Sequence, residues 1–159
     1  MTDFPPATLR FLDAAKSAGL DARPVVYPEG TKTAAKAAAA VGCDVAAIVK
    51  SLVFVSNDRP VLVLMSGDLR VDENLLSALV GGPVRRAALD EVREFTGYAA
   101  GGTPPVGHAR TPTVYADPSL RRNEIVWAAA GTPNTVFPVP LEKLAAVADA
   151  IWADLAEGR

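Results

Sequence analysis

Two neighbouring apolar segments stand out in the chain, "KSLVFVS" at residues 50–56 and "VLVLMS" at 61–66. The polar residues between them include Asn57 and Asp58, which favour tight turns, so the pattern predicts a β-hairpin. Both segments are apolar at successive positions rather than at alternate ones. This is typical of strands that are buried on both faces, and we expect them to occupy the centre of a sheet.

Apolar residues spaced three and four apart predict α-helices in five further segments, most of them followed by a glycine. These segments are residues 7–19, 31–42, 71–82, 88–97 and 141–158. The last segment has one apolar stripe at helical spacing, which predicts a single continuous C-terminal helix. The stripe consists of Leu141, Leu144, Val147, Ile151 and Leu155. A shorter helical stretch is expected at 45–49, where Asp44 can cap it.

Extended segments are expected at residues 22–30, 83–87, 111–117, 123–131 and 132–140. The prolines of the last segment fit the edge of a sheet better than its centre. Helices and strands alternate without a regular βαβ rhythm. The sequence therefore predicts an α/β (α+β) fold, a single compact domain over residues 1–159, with a mixed, barrel-like β-sheet flanked by helices.

Composition narrows the functional classes. The chain has 159 residues, half of them hydrophobic, and a net charge of −2. These values fit one globular domain and argue against a general nucleic-acid binder, although a contact with the tip of one strand needs only a few local cations. A single cysteine, Cys43, excludes an internal disulfide and suits a reducing compartment. With no leader and no apolar run of membrane-spanning length, we expect a soluble cytoplasmic protein without a membrane partner. Its small size favours a monomer.

The usual catalytic signatures are missing: the sequence has no GxSxG, P-loop or GxGxxG motif and only one histidine. We therefore predict neither a metal nor a cofactor. Three places remain as candidates for chemistry. They are Lys50 with Ser51 at the start of a buried strand, the loop "FTGYAAGGTPPVGH" at 95–108, and the turn "GTPN" at 131–134.

Each of these places has a physical reason to bind a ligand. The charge of Lys50 must reach solvent, a partner or a cavity, because it stands beside a buried strand. Glycines let backbone N–H groups point at an oxyanion or a phosphate. Taken singly, however, each feature is more often structural: a lysine that extends to solvent, or a connecting turn.

The order of the three features, with these residues, resembles the YbaK/EbsC family of editing domains, which are related to the insertion and satellite domains of prolyl-tRNA synthetase. The matching stretches are "IVKSLVF" (48–54), "FTGYAAGGTPPVGH" (95–108) and "VWAAAGTPNTVFPVPLEKL" (126–144). The resemblance covers about residues 25–150. The run TGY-x-x-GG-x-x-P-x-G is its most specific element.

The resemblance implies a trans-acting aminoacyl-tRNA deacylase, which hydrolyses the ester between a wrong amino acid and the tRNA 3′ end. Its partners would be the acceptor end of a tRNA carrying an amino acid and an aminoacyl-tRNA synthetase. Lys50 matches the family's signature lysine and is the expected catalytic residue. The expected substrate-binding residues are Ser51, Gly101, Gly102, Pro105, Gly107, His108, Gly131 and Thr132.

The implied chemistry needs no nucleophilic side chain, because an aminoacyl ester is already activated. Lys50 would supply a cation for the carbonyl oxygen or the terminal phosphate, and N–H groups of Gly101 and Gly102 would share that task. Selectivity would come from the size of the pocket, with Val53, Val106 and Ala129 as expected walls. Local cations could guide the acceptor end: Lys32, Lys36, Arg85, Arg86, Arg110, Arg121 and Arg122.

Specificity and activity stay open at this point. Cysteinyl-tRNA deacylases carry a serine where this chain has Ala129 and Ala130, so only the family, not that substrate, is implied. His108 fits either a surface position or the rim of the pocket. A non-catalytic module that binds tRNA or an aminoacyl nucleotide is the alternative from another class. Hydrolysis of a small ester or thioester is a third.

Overall fold

The computed structural model describes residues 3–158, which form five α-helices and eight β-strands. The helices are α1 (Pro6–Ser17), α2 (Ala34–Val41), α3 (Glu73–Val80), α4 (Leu89–Thr96) and α5 (Leu141–Val147). The strands are β1 (Val25–Val26), β2 (Val49–Ser56), β3 (Arg59–Ser66), β4 (Arg85–Arg86), β5 (Thr113–Ala116), β6 (Ile125–Ala129), β7 (Thr135–Pro140) and β8 (Ile151–Trp152). The four helices predicted before residue 100 are confirmed within a few residues. The stretch predicted at 45–49 is a 3-10 turn that leads directly into β2.

Capping residues set the limits of α2 and α3. The Thr33 hydroxyl accepts a hydrogen bond from the N–H of Lys36 at 3.1 Å and begins α2. The Asp72 carboxylate does the same for α3, accepting from the N–H of Asn74 at 2.9 Å. Both helices end at glycines in the left-handed conformation, Gly42 with φ 82° and Gly81 with φ 81°. That conformation is open to glycine without a steric penalty, which is why the helices end there.

The larger sheet has five strands in the order β4-β2-β3-β5-β8. The predicted hairpin is confirmed: β2 and β3 pair antiparallel, with Ser56 opposite Arg59. Asn57 and Asp58 both have positive φ, 51° and 61°, as a two-residue turn between twisted strands requires. The prediction that β2 and β3 are central is also confirmed, because each has a neighbour on both sides.

The smaller sheet has the order β1-β7-β6, all antiparallel. The predicted edge position of residues 132–140 is wrong, since β7 is the central strand. Its prolines are tolerated because β1 pairs with β7 only at Thr135 and Val136, whereas Pro138 and Pro140 lie beyond it and face β6 alone. The barrel-like form of the sheet is not confirmed, because the strands form two sheets that do not close into a barrel.

Side chains from both sheets, with α1, α4 and α5, form the main core. Phe11 of α1 and Phe137 of β7 are both fully buried, with ring centroids 4.9 Å apart. Burial of each such ring contributes about 1.5–3 kcal/mol. A second core, which includes Phe54, Met65 and Leu76, covers the opposite face of the larger sheet.

The C-terminal segment departs from its prediction. Helix α5 ends at Val147, and Ile151–Trp152 then form β8, parallel to β5. The edge of β5 provides hydrogen-bond partners that a longer helix would leave unused: the N–H of Ala153 donates to the carbonyl oxygen of Ala116 at 3.0 Å. Leu155 is buried in the second core rather than along a helical stripe.

Candidate functional site

A cleft of about 510 Å³ lies where the segment before α2, the start of β2, strand β6 and the loop at 100–103 meet. Of the sequence-predicted site residues, Lys50, Ser51 and Gly101 line it. Gly102, Pro105, Gly107, His108, Gly131 and Thr132 are outside its lining. The structure therefore brings the start of β2 and the glycine loop together, as the order of motifs predicts.

Lys50 is the second residue of β2 and is half-buried. Its Nζ donates a hydrogen bond to the carbonyl oxygen of Leu69, in the turn that follows β3. Burial lowers the pKa of the Lys50 ammonium, and the nearby positive charge of Arg70 lowers it further. Asp68 acts in the opposite direction and raises this pKa. An ammonium group has three donors, so the contact with Leu69 leaves two for a ligand.

The turn that receives Lys50 is closely packed against the entry to β2. The N–H of Gly67 donates to the carbonyl oxygen of Ile48 at 2.8 Å, and the N–H of Leu69 donates to that of Ser66 at 3.0 Å. A Cβ on Gly67 would lie 2.4 Å from the carbonyl oxygen of Val45, so only glycine fits. The segment before Lys50 and the turn that accepts its hydrogen bond are thus held against each other.

An ion pair between Arg122 and Asp68 braces the same turn. Arg122 Nη2 donates to Asp68 Oδ1 at 2.7 Å, and Arg122 Nη1 donates to Asp68 Oδ2 at 3.0 Å. Arg122 Nη2 also donates to the hydroxyl of Ser66 at 2.8 Å. The hydrogen bonds from Arg122 lower the pKa of Asp68. This bidentate pair was missed from the sequence, where its members stand far apart and carry no motif.

Ser51 follows Lys50, and both residues border the cleft. Its hydroxyl oxygen is buried and has no hydrogen-bond partner among residues 3–158. Buried hydroxyl groups almost always have a partner, so this one is a candidate contact for a ligand. Much of the remaining lining is apolar. The apolar side chains of the lining are Ala34, Ala37, Ile48, Val49, Leu52, Ala100, Trp127, Ala129 and Val136.

The glycine loop reaches the cleft through a 3-10 turn at Ala100–Gly102. Gly101 borders the cleft beneath Lys32: a Cβ on Gly101 would lie 3.2 Å from Lys32 Cγ. Gly102 has a different role. Its N–H donates to the carbonyl oxygen of Ala99 at 2.9 Å, and a Cβ there would lie 2.5 Å from Cα of Thr132. Gly102 therefore allows the glycine loop and the "GTPN" turn to touch, and its N–H is already used.

Two more glycines of these motifs pack against α1. Gly107 has φ 81° and Gly131 has φ 106°, conformations that L side chains rarely adopt. An added Cβ would lie 2.7 Å from Cβ of Ala14 at the first position and 2.8 Å from the carbonyl oxygen of Ala7 at the second. Pro105 is buried beside them. These residues shape the loops from behind the cleft.

The threonine of the "GTPN" turn belongs to a chain of hydroxyl groups. Thr132 Oγ1 lies 2.9 Å from Thr135 Oγ1, which lies 3.1 Å from Thr8 Oγ1. Thr8 and Thr135 are both fully buried. The chain links the turn to β7 and to α1, and holds the wall behind Gly102.

His108 is partly buried, and its Nε2–H donates to the carbonyl oxygen of Pro104 at 2.7 Å. Burial lowers the pKa of the imidazole, and the contact with Pro104 opposes that shift. This hydrogen bond joins two residues of the glycine loop, His108 and Pro104. Of the expected walls, Ala129 borders the cleft, whereas Val53 and Val106 are part of the main core.

Among the cations expected to guide a tRNA, Lys32 and Arg86 border the cleft. Arg110 and Arg121 lie over the rings of Phe95 and Trp152. Arg85 pairs with Glu91 at 2.6 Å, Arg122 pairs with Asp68, and Lys36 is exposed on α2.

Residues 3–158 contain neither a metal-binding cluster nor a helix that could span a membrane. No cluster of three or more His, Cys, Asp or Glu side chains is arranged to hold a metal ion. None of the helices in this range combines the length and the hydrophobicity needed to cross a bilayer.

Comparison with known proteins identifies the family. Residues 28–147, which include Lys50 and both loops, match the sequence profile of the aminoacyl-tRNA editing domain. The chain belongs to the aminoacyl-tRNA editing domain family. The resemblance to YbaK-like editing domains is therefore confirmed.

Relatives of this editing domain occur alone and inside larger enzymes. It is 30% identical over 131 residues to YwhH of Bacillus subtilis, covering 81% of this chain and 83% of YwhH. It is 32% identical over 135 residues to a proline–tRNA ligase of Bacillus licheniformis, covering 82% of this chain and 23% of the ligase. A crystal structure of a candidate trans-editing enzyme for prolyl-tRNA synthetase superposes with a TM-score of 0.94, at 44% identity, over 98% of this chain and 100% of that one.

Proposed function

We propose that this editing domain is a trans-acting deacylase, which hydrolyses the ester of a mischarged tRNA. The observation that carries the proposal is the composition of one cleft: a desolvated lysine ammonium, a glycine backbone and a buried hydroxyl group without a partner. The likeness to a free-standing candidate trans-editing enzyme over its full length supports action in trans. Such a protein would act in the cytoplasm, where tRNA is charged.

The reaction requires that an oxyanion be stabilised. Water attacks the ester carbonyl carbon, and the carbonyl oxygen becomes negatively charged. The Lys50 ammonium provides the positive charge for this oxygen, and we assign the backbone contact to Gly101 alone, since the N–H of Gly102 is used within the loop. The bond between carbonyl carbon and ribose oxygen then breaks, the ribose oxygen takes up a proton, and free amino acid leaves. Lys50 stays protonated throughout.

The apolar end of the cleft would hold the side chain of the amino acid. Ala129 and Val136 border the cleft, and Ser51 offers one hydrogen bond within it. An apolar wall distinguishes one methylene by only about 1–3 kcal/mol, which is why synthetases need a second sieve.

The proposal is tested with a panel of mischarged tRNAs, including Cys-tRNA(Pro), Ala-tRNA(Pro) and seryl-tRNAs. Wild type, Lys50→Ala and the control Lys143→Ala are compared, because Lys143 is an exposed lysine on α5, away from the cleft. We expect accelerated release of at least one amino acid by wild type and by the control, but not by Lys50→Ala. Binding of a charged tRNA without any release would instead identify a non-catalytic binding module. Full activity of Lys50→Ala would place the chemistry elsewhere.

A further inference from the structure

A second hollow adjoins the cleft on the other side of the glycine loop. We call it the Leu89 groove. It has a volume of about 460 Å³ and its floor is largely apolar, formed by Leu89, Ala99 and Pro133. Leu89, the first residue of α4, is 77% exposed, the highest exposure among the large hydrophobic side chains of residues 3–158. An exposed leucine in a concave apolar surface gains free energy from any ligand that covers it.

A narrow ridge separates the Leu89 groove from the cleft, and Lys32, Ala100 and Gly101 border both hollows. The stem of Lys32 lies against Gly101, where an added Cβ would be 3.2 Å from Lys32 Cγ and 3.6 Å from Pro133 Cγ. Lys32 is exposed and therefore places a positive charge on the ridge between the two hollows.

Charge favours an anionic chain across this ridge. Arg93 stands at the rim of the Leu89 groove and Lys32 on the ridge. One carboxylate, Asp90, is also at the rim, and it accepts a hydrogen bond from the N–H of Glu91 at 3.0 Å. Two cations beside an apolar floor suit a nucleotide, whose base packs on apolar side chains while its phosphate contacts lysine or arginine.

We propose that the Leu89 groove binds the penultimate nucleotide of the tRNA 3′ strand. This rests on the proposed function, which puts the terminal adenosine and its amino acid in the cleft. The strand leaves the cleft over the ridge, and the phosphodiester between the last two nucleotides passes Lys32. The penultimate base then covers Leu89, Ala99 and Pro133. This contact is independent of the chemical step, because the groove lies on the far side of Gly101 from Lys50.

Three short substrates separate the contributions of phosphate and base. They carry the amino acid that the tRNA panel identifies, on adenosine, on adenosine 5′-monophosphate and on the dinucleotide CpA. We expect kcat/KM to rise at both steps, by about tenfold when the second base is added. Lys32→Gln is expected to reduce the gain from the phosphate. Leu89→Asp is expected to reduce the gain from the base. Ratios between substrates cancel any general loss of activity.

Matched controls come from other surfaces. Leu79→Asp alters a leucine on α3 that is 44% exposed, and Lys143→Gln alters a lysine on α5; neither residue borders either hollow. Both controls are expected to keep the wild-type ratios. Equal kcat/KM for the three substrates in the wild type would refute the proposed nucleotide site in the Leu89 groove, without contradicting the proposed deacylase activity. An unchanged ratio in Leu89→Asp would do the same.

Binding provides a readout that does not need catalysis. Amide-linked analogues of the adenosine and CpA substrates cannot be hydrolysed, and their Kd values are measured by calorimetry. We expect the wild type to bind the CpA analogue about tenfold more tightly than the adenosine analogue. Leu89→Asp is expected to bind the two analogues with equal affinity. If no tRNA is deacylated but this advantage persists, the proposed function fails and the groove stands. Equal Kd values refute the groove.

Discussion

The ammonium group of Lys50 is hydrogen-bonded to the carbonyl oxygen of Leu69, so that β2 is joined to the turn after β3 beside the cleft. This contact fixes the position of the charge, because the turn is itself held by Gly67 and by the Arg122–Asp68 pair. A charge held in place before the substrate arrives needs no reorganisation when the oxyanion forms. The following predictions depend on that arrangement.

Replacing Lys50 tests the role of its charge. We expect Lys50→Ala to lower kcat by about 10²–10³, the usual effect of losing one oxyanion donor. Lys50→Arg keeps the charge, but its planar fork does not fit the contact with Leu69, so we expect partial activity. Single-turnover deacylation measures both. A rise in KM alone, with kcat unchanged, would contradict the assignment.

The same charge predicts a pH dependence. Burial and Arg70 lower the pKa of Lys50 below its ordinary value of 10.5. Because the protonated form is the active one, enzymatic deacylation falls as pH rises through this lowered pKa. Rates are measured from pH 6 to 10, with spontaneous ester hydrolysis subtracted at each pH. A rate that follows the hydroxide concentration throughout would show that Lys50 does not act through its charge.

Asp68 is expected to act on this profile as a positioning residue. Its carboxylate raises the pKa of Lys50, so Asp68→Asn should move the alkaline fall in activity to lower pH. The control is Glu94→Gln, which removes an exposed carboxylate of α4 that does not border the cleft. A role limited to folding would reduce the amount of active protein but leave the midpoint of the profile in place.

Replacing Ser51 is expected to affect the binding of the aminoacyl ester without lowering the stability of the protein. Its buried hydroxyl has no partner, and an unsatisfied buried polar group costs about 1–3 kcal/mol. Ser51→Ala should therefore keep or raise the free energy of unfolding in urea while it raises KM for the aminoacyl ester. Ser56→Ala, at the end of the same strand, is the control. A loss of stability in Ser51→Ala would mean that the hydroxyl has a structural partner.

Local pattern predicted most of the fold. The hairpin, the central place of β2 and β3, and the four earlier helices all depend on turn residues and apolar spacing within a few positions of the chain. The C-terminal segment failed because its apolar spacing fits two structures. Helix α5 followed by a strand buries Leu144 and Leu155 as a continuous helix would, and the open edge of β5 decides between them.

For the site, the sequence predicted which segments meet but not what each residue does there. Lys50, Ser51 and Gly101 line one cleft, whereas Gly102, Gly107 and Gly131 pack against backbone or α1 behind it. A glycine that contacts a ligand and one that contacts a neighbouring loop are indistinguishable in a motif. The Arg122–Asp68 pair could not be found either, because a long-range ion pair has no local signal.

The packing role of Gly102 gives a test of stability. A Cβ at this position would lie 2.5 Å from Cα of Thr132, and backbone cannot move aside as a flexible side chain can. We expect Gly102→Ala to lower the free energy of unfolding by about 1–3 kcal/mol, the usual cost of overpacking. Gly82→Ala is the matched control, because Gly82 has ordinary backbone angles and no atom within 4 Å of an added Cβ. Equal stability of the two variants would contradict the close approach of the loops.

His108 predicts how stability changes with pH. Burial lowers the pKa of its imidazole in the folded protein, whereas the unfolded chain keeps a value of about 6.5. Near this pH the unfolded state therefore binds more protons than the folded state. The free energy of unfolding decreases as the pH falls from 7.5 through the pKa of the unfolded chain. Because His108 is the only histidine of the chain, no other imidazole contributes. In His108→Gln the amide can still donate to Pro104 but does not titrate, so urea unfolding between pH 7.5 and 5.5 should lose much of this slope. If the slope is the same in both proteins, the folded imidazole titrates at its ordinary pKa and the loop does not bury it.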